Sequence, residues 1–146
     1  MREILFKAKR LDNGEWVEGS LIVLDADSGY YFITEPYQSA STLPVRDLIY
    51  NHTYLVDANT ICQYTGLTDK NGNKIWENDV VNIDSYSFWE PEDCCYGVVR
   101  YSNAKAAFCL DSGSKWIPMY ECTGSYTTIY ENFGSILDNP KLLENE

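Results

Sequence analysis

Apolar and polar residues alternate along this chain with a period of two, and no long segment repeats with a period near 3.6. Residues 2–10 place Ile4, Phe6 and Ala8 on one face, with Glu3, Lys7 and Lys9 among the residues opposite. That is the pattern of a half-buried strand. Leu11-Asp12-Asn13-Gly14 supplies an Asn-Gly turn, and residues 15–24 form the return strand. Gly19 within it predicts a bulge. Residues 25–29 form the next turn and 30–34 a third strand. Residues 35–44 are polar and bounded by proline, hence a loop, and 45–50 leave a short helical turn open. Residues 54–56 and 60–64 are β-rich, and 66–73 make a polar, turn-rich connection.

The second half repeats the style. Residues 74–76 form a short strand, and 79–84 carry Val80, Val81 and Ile83. Residues 85–95 are a long irregular insertion. Strands follow over 97–101 and 106–110, with a turn at 111–114. Pro118 marks residues 115–120 as an edge strand or a bulge, and Gly134 bends the β-rich stretch 125–137. At the end, Asn139 serves as N-cap and Pro140 as first residue of a short helical turn. The pattern predicts an all-β chain of two small β-rich subdomains, 1–65 and 66–146. Short strands with frequent turns point to small barrels or sandwiches.

Composition narrows the function classes. A chain of 146 residues buries enough surface to fold without metal or disulfide. Its formal charge of −11 repels phosphate backbones and anionic membranes, so nucleic acid is not expected as a general ligand. The five cysteines include no C-x-x-C pair, so the paired ligands of a zinc site are missing. The first ten residues lack the apolar stretch of a signal peptide, and no span is long enough to cross a membrane. The expected location is the cytoplasm of a bacterial host, with free thiols.

Candidate chemistry is sparse. His52 is the only histidine and sits in a polar connection, where an ordinary loop role is expected. Residues 69–73, Asp-Lys-Asn-Gly-Asn, imitate a calcium loop, but glycine comes fourth instead of sixth and the twelfth position is Val80. No phosphate-cradling glycine loop, nucleophile elbow or H-E-x-x-H pair occurs. No catalytic residue, metal ligand or cofactor is therefore assigned, and the chain is expected not to be an enzyme. Cys94 and Cys95 read as packing residues. Tyr86, Phe88 and Trp89, rimmed by Glu90, Glu92 and Asp93, form a candidate protein-binding patch. The alternative is that Phe88 and Trp89 cover a barrel end.

The most distinctive stretch is Tyr64-Thr65-Gly66-Leu67, then Asp69-Lys70-Asn71-Gly72, then Asn78-Asp79-Val80-Val81. With the opening strand Arg2–Ala8 and the closing Asn139-Pro140-Lys141-Leu142-Leu143, it resembles the YopX family of phage and prophage proteins. Asn78 stands where the family commonly has glycine. The resemblance implies a small β-barrel module encoded by a phage or prophage, its C-terminal half similar to an SH3-like barrel. It brings no catalytic residues with it. Gly66, Gly72, Asn78 and Asp79 are candidates for fixing turns and strand register, and Tyr64, Asp69 and Asn71 for a binding loop. The function expected is a non-enzymatic protein-binding or assembly module with a host or phage protein as partner. Two alternatives stand beside it: a nucleic-acid-associated small barrel, and a metal-dependent hydrolase built from scattered carboxylates. Homo-oligomerisation is also expected, because antiparallel sheets leave edges that must be covered or paired.

Overall fold

Among the described residues eleven strands form at or beside the positions the period-two pattern predicts, though the strand expected over 60–64 runs from Cys62 to Thr68, into the stretch read as a connection. The structure is a computed structural model that describes residues 2–25, 27, 29–36, 50–85, 95–113, 115–119 and 128–144. The chain is all-β, with antiparallel sheets and, among the described residues, no helix of 7 or more residues. It divides into two compact units, Met1–Tyr64 and Thr65–Glu146.

In the first unit, β1 (Phe6–Lys9), β2 (Trp16–Asp25), β3 (Tyr30–Thr34) and β4 (Thr53–Val56) form an antiparallel meander. β1 also pairs with the start of β5 (Cys62–Thr68). Alternation sends Ala8, Val17, Ile33 and Val56 to one face, where they form the core, with Phe6, Leu21, Tyr31, Tyr54 and Ile61 packed against them. Ile4, expected on this face, precedes the strand and is 60% exposed. The Asn-Gly turn forms with Gly14 alone at positive φ (73°), its N–H donating to the Arg10 carbonyl. A 3-10 turn at Ala58–Thr60, capped by the Asp57 carboxylate, is an element the β-pattern did not announce.

β2 changes partner along its length: residues up to Gly19 pair with β1, and those from Ser20 onward pair with β3. Gly19 is not a bulge. It sits in regular register opposite Phe6, and the register shift lies at Val23–Asp25. Gly19 is needed because the β3 backbone runs against it. A Cβ there would meet the Thr34 carbonyl oxygen at 2.0 Å.

In the second unit, β6 (Lys74–Trp76) lies beside β5. A five-stranded antiparallel sheet has the order β10-β9-β8-β7-β11, from β7 (Asp79–Ser85), β8 (Cys95–Ser102), β9 (Ala107–Asp111), β10 (Trp116–Pro118) and β11 (Thr128–Ser135). Its core joins Ile75, Val81, Ile83, Val99, Leu110, Met119 and Tyr130. Gly134, expected to bend this stretch, takes φ 108° at the register shift between Asn132 and Ser135 of β11. The closing 3-10 turn, Pro140–Leu143, has the expected Asn139 cap, whose side chain accepts from the Lys141 N–H. The Tyr96 hydroxyl donates to the Leu142 carbonyl and holds this turn in place.

The SH3-like barrel is not observed: no sheet is closed among the described residues. β10 and β11 are the two outer strands of an open sheet. β10 has 3 residues and ends in a proline without an N–H, so it offers little ladder for closure.

β8 changes partner as β2 does. It pairs with β7 through Val98 and with β9 from Val98 onward. Gly97 stands at the change, where a Cβ would meet the Asp111 carbonyl oxygen at 2.3 Å. Backbone must move to admit a methyl group there, so Gly97→Ala is expected to lower stability by about 3 kcal/mol in urea denaturation.

Candidate functional site

The distinctive 64–81 stretch folds into two turns of the second unit, and its polar groups are directed at backbone. At the first turn, Asp69 is 7% exposed. Its Oδ1 accepts from the backbone N–H groups of Asn71 and Asn73, both at 2.9 Å. Its Oδ2 accepts from the Asn73 amide at 3.3 Å. Gly72, at φ 82°, closes the turn by donating to the Asp69 carbonyl. Burial pushes the Asp69 carboxyl up. The N–H groups of Asn73 and Asn71, the Asn73 amide and the backbone N–H of Asn132 outweigh it and hold the pKa below the ordinary carboxylate value.

The second turn joins β6 to β7. Asn78 takes φ 68°, the left-handed conformation that asparagine tolerates better than other side chains. Asp79, 2% exposed, directs Oδ2 at the Trp76 N–H (2.9 Å) and at the Asn132 amide (2.7 Å). Asn132 also donates to the Lys74 carbonyl at 3.3 Å and accepts from the Gly134 N–H at 2.9 Å. Further upstream, the Thr65 hydroxyl donates to the Ile75 carbonyl (2.8 Å) and accepts from the Leu67 N–H, beside Gly66 at φ 87°.

Together these bonds cover strand edges. The N–H and C=O of alternate residues in a strand point to the same side. The Ile75 carbonyl meets Thr65 of β5, so Lys74 and Trp76 face away from β5, where Asn132 and Asp79 receive them. On the outer edge of β11, the Tyr130 carbonyl accepts from the Lys70 N–H at 2.9 Å. Lys70 Nζ also pairs with Glu131 at 3.3 Å. The loop of Asp69 and Lys70 thus stands where a neighbouring strand would.

The family model of the YopX protein matches residues 5–144. The chain belongs to the YopX family. No curated protein matches it. Within the matched span, Gly66, Asp69, Gly72, Asn78 and Asp79 build turns and help cover strand edges. Of the expected binding residues, Asp69 is engaged within its own turn, Asn71 is exposed at the tip, and Tyr64 is a buried residue of the first unit. Tyr86, Phe88 and Trp89 lie outside the described residues. Asn132 was missed, because nothing local distinguishes an asparagine in a β-rich run whose partners are 53 and 58 positions away.

Groups suited to chemistry are scattered. His52 Nδ1 lies 4.0 Å from Glu35 on the first unit's surface. Cys62 and Cys109 are buried, each directing its Sγ at a backbone carbonyl. Among the described residues no three His, Cys, Asp or Glu side chains gather to hold a metal ion, and no helix is long and apolar enough to cross a membrane.

Asp69→Asn is expected to lower stability at neutral pH by about 1–3 kcal/mol, the range for a buried acceptor replaced by a misplaced donor. Because the folded carboxyl is held below its unfolded value, its contribution is complete above the ordinary carboxylate pKa of about 3.9. It fades as pH falls through the folded value. The gap between native chain and variant should therefore close in acid, read by denaturation midpoints across pH. Asn132→Ala should cost about 2–3 kcal/mol by leaving the Asp79 carboxylate short of a partner. A double-mutant cycle with Asp79→Ala should show that the two losses are not additive.

Proposed function

We propose that this YopX chain is a non-enzymatic protein-binding or assembly module of phage or prophage origin, acting in the host cytoplasm. One observation carries the reading. At the far end of the β2–β3 hairpin, Val23, Leu24 and Tyr30 are 47%, 72% and 55% exposed. Successive strand residues point to opposite faces, so this hairpin end is apolar on both sides. The run Leu21-Ile22-Val23-Leu24 reads as a strand covered on both faces. Its end lacks that cover among the described residues. Asp27, exposed in the turn that follows, gives the apolar end an acidic edge. A fitting partner presents an apolar pocket edged with lysine or arginine.

Three basic side chains of the first unit, Lys7, Lys9 and Arg10, favour a protein partner over nucleic acid. Lys7 and Lys9 lie over the Trp16 ring, at 4.4 and 5.2 Å from its centroid. Arg10 stacks on Tyr54 at 4.1 Å and pairs with Asp12 at 2.6 Å. These three cations are engaged by their own neighbours.

Leu24→Asp combined with Tyr30→Ala should leave the fold intact by circular dichroism. It should weaken capture of the partner that the native chain retrieves from host lysate by about tenfold or more, the loss expected when a hot spot is removed. Equal capture by the variant, or retrieval of nothing by the native chain, would count against this reading.

A further inference from the structure

Asn-Gly pairs occur twice in the chain, at 13–14 and at 71–72. Asparagine before glycine is where an amide can be lost, because glycine has no Cβ to obstruct ring closure. The two pairs differ in one respect. The Asn13 carboxamide is held at both ends, Oδ1 accepting from the Glu15 N–H at 2.9 Å and Nδ2 donating to the Glu15 carboxylate at 3.3 Å. The Asn71 carboxamide is exposed and has no hydrogen-bond partner among the described residues. The glycine N–H is engaged in both cases, Gly14 to the Arg10 carbonyl and Gly72 to the Asp69 carbonyl, so that restraint does not separate them.

We propose that Asn71 is a deamidation site, and that its conversion releases the loop covering the β11 edge. The Gly72 backbone nitrogen attacks Asn71 Cγ, and a C–N bond closes a five-membered imide. The side-chain nitrogen leaves as ammonia, taking the proton given up by the Gly72 N–H. Water then adds at one imide carbonyl and breaks that carbonyl's C–N bond, giving an aspartyl or an isoaspartyl linkage, with no change in oxidation state. Either product places a new carboxylate beside Asp69. The isoaspartyl form also inserts a methylene into the backbone and pulls the residue 71 N–H away from Asp69 Oδ1. The Asp69 turn then loosens, Lys70 withdraws from the Tyr130 carbonyl, and the edge of β11 is uncovered.

The test ages the full chain in mildly alkaline buffer. Peptide mapping with isoaspartyl methyltransferase labelling should show conversion at residue 71 several-fold faster than at 13. Hydrogen exchange at the Asn132 amide should quicken in step, and the denaturation midpoint should fall. Asn71→Gln, at an exposed position without positive φ, should keep both the exchange rate and the midpoint on ageing. Conversion that is absent, or as fast at Asn13 as at Asn71, would overturn the proposal. So would an Asn71→Gln chain that ages like the native one.

Discussion

An outer strand of a β-sheet presents a row of N–H and C=O groups with no neighbour, and each such group left dry and unpaired costs about 1–3 kcal/mol. The fold answers this constraint strand by strand. The outer strands are β4, β6, β10 and β11. β4 meets the end of β1, where Arg10 bridges to Val56 and the Leu11 N–H donates to the Leu55 carbonyl. β6 is received by Asp79 and Asn132, and β11 by Lys70 and the Asp69 turn. At β10, the Ser112 N–H bonds the Lys115 carbonyl, so Lys115 faces β9, and Trp116 and Pro118 face outward. Lys105 Nζ takes the Trp116 carbonyl at 2.9 Å, and Pro118 has no N–H to expose. Two of these four edges are thus finished by the turns of the 64–81 stretch together with Asn132.

Much of this was legible from residues. Tyr30–Thr34 and Lys74–Trp76 fall where alternation puts them, because their pattern is local and the turns beside them are strong. Pro118 allows an edge strand or a bulge, and β10 is an edge strand; Gly134 is expected to bend its strand, and the register shifts there. Gly19 has two meanings, bulge and close approach, and the atom that decides between them is a carbonyl fifteen positions away. Asn132 carries no local mark at all, and closure of a barrel depends on pairings that alternation does not encode. The exposed end of the β2–β3 hairpin was hidden by the same rule that found the strand. An apolar run reads as core until the structure shows that nothing described covers it.

The two units share a device that their sequences do not repeat. In each, one long strand changes partner at a glycine, and the residue after that glycine pairs with the last residue of the next strand. Ser20 meets Thr34 in the first, and Val98 meets Asp111 in the second. The flanking residues, Glu18-Gly19-Ser20 and Tyr96-Gly97-Val98, have only the glycine in common. The shared requirement is room for a passing carbonyl, which one missing Cβ satisfies whatever the neighbours are.

The bonds that cover the edges also differ in how soon they can form. The Asp69 turn closes over 2 to 4 positions, whereas the bonds from Asn132 span 53 and 58. Joining distant segments costs more chain entropy, so local turns assemble early in folding and long-range latches late. A nascent chain therefore builds β5, β6 and their connecting loop well before Asn132 arrives. During that interval β6 lies open to other chains. The kinetic hazard in making this protein falls on a three-residue outer strand, and it ends only when the last strand docks.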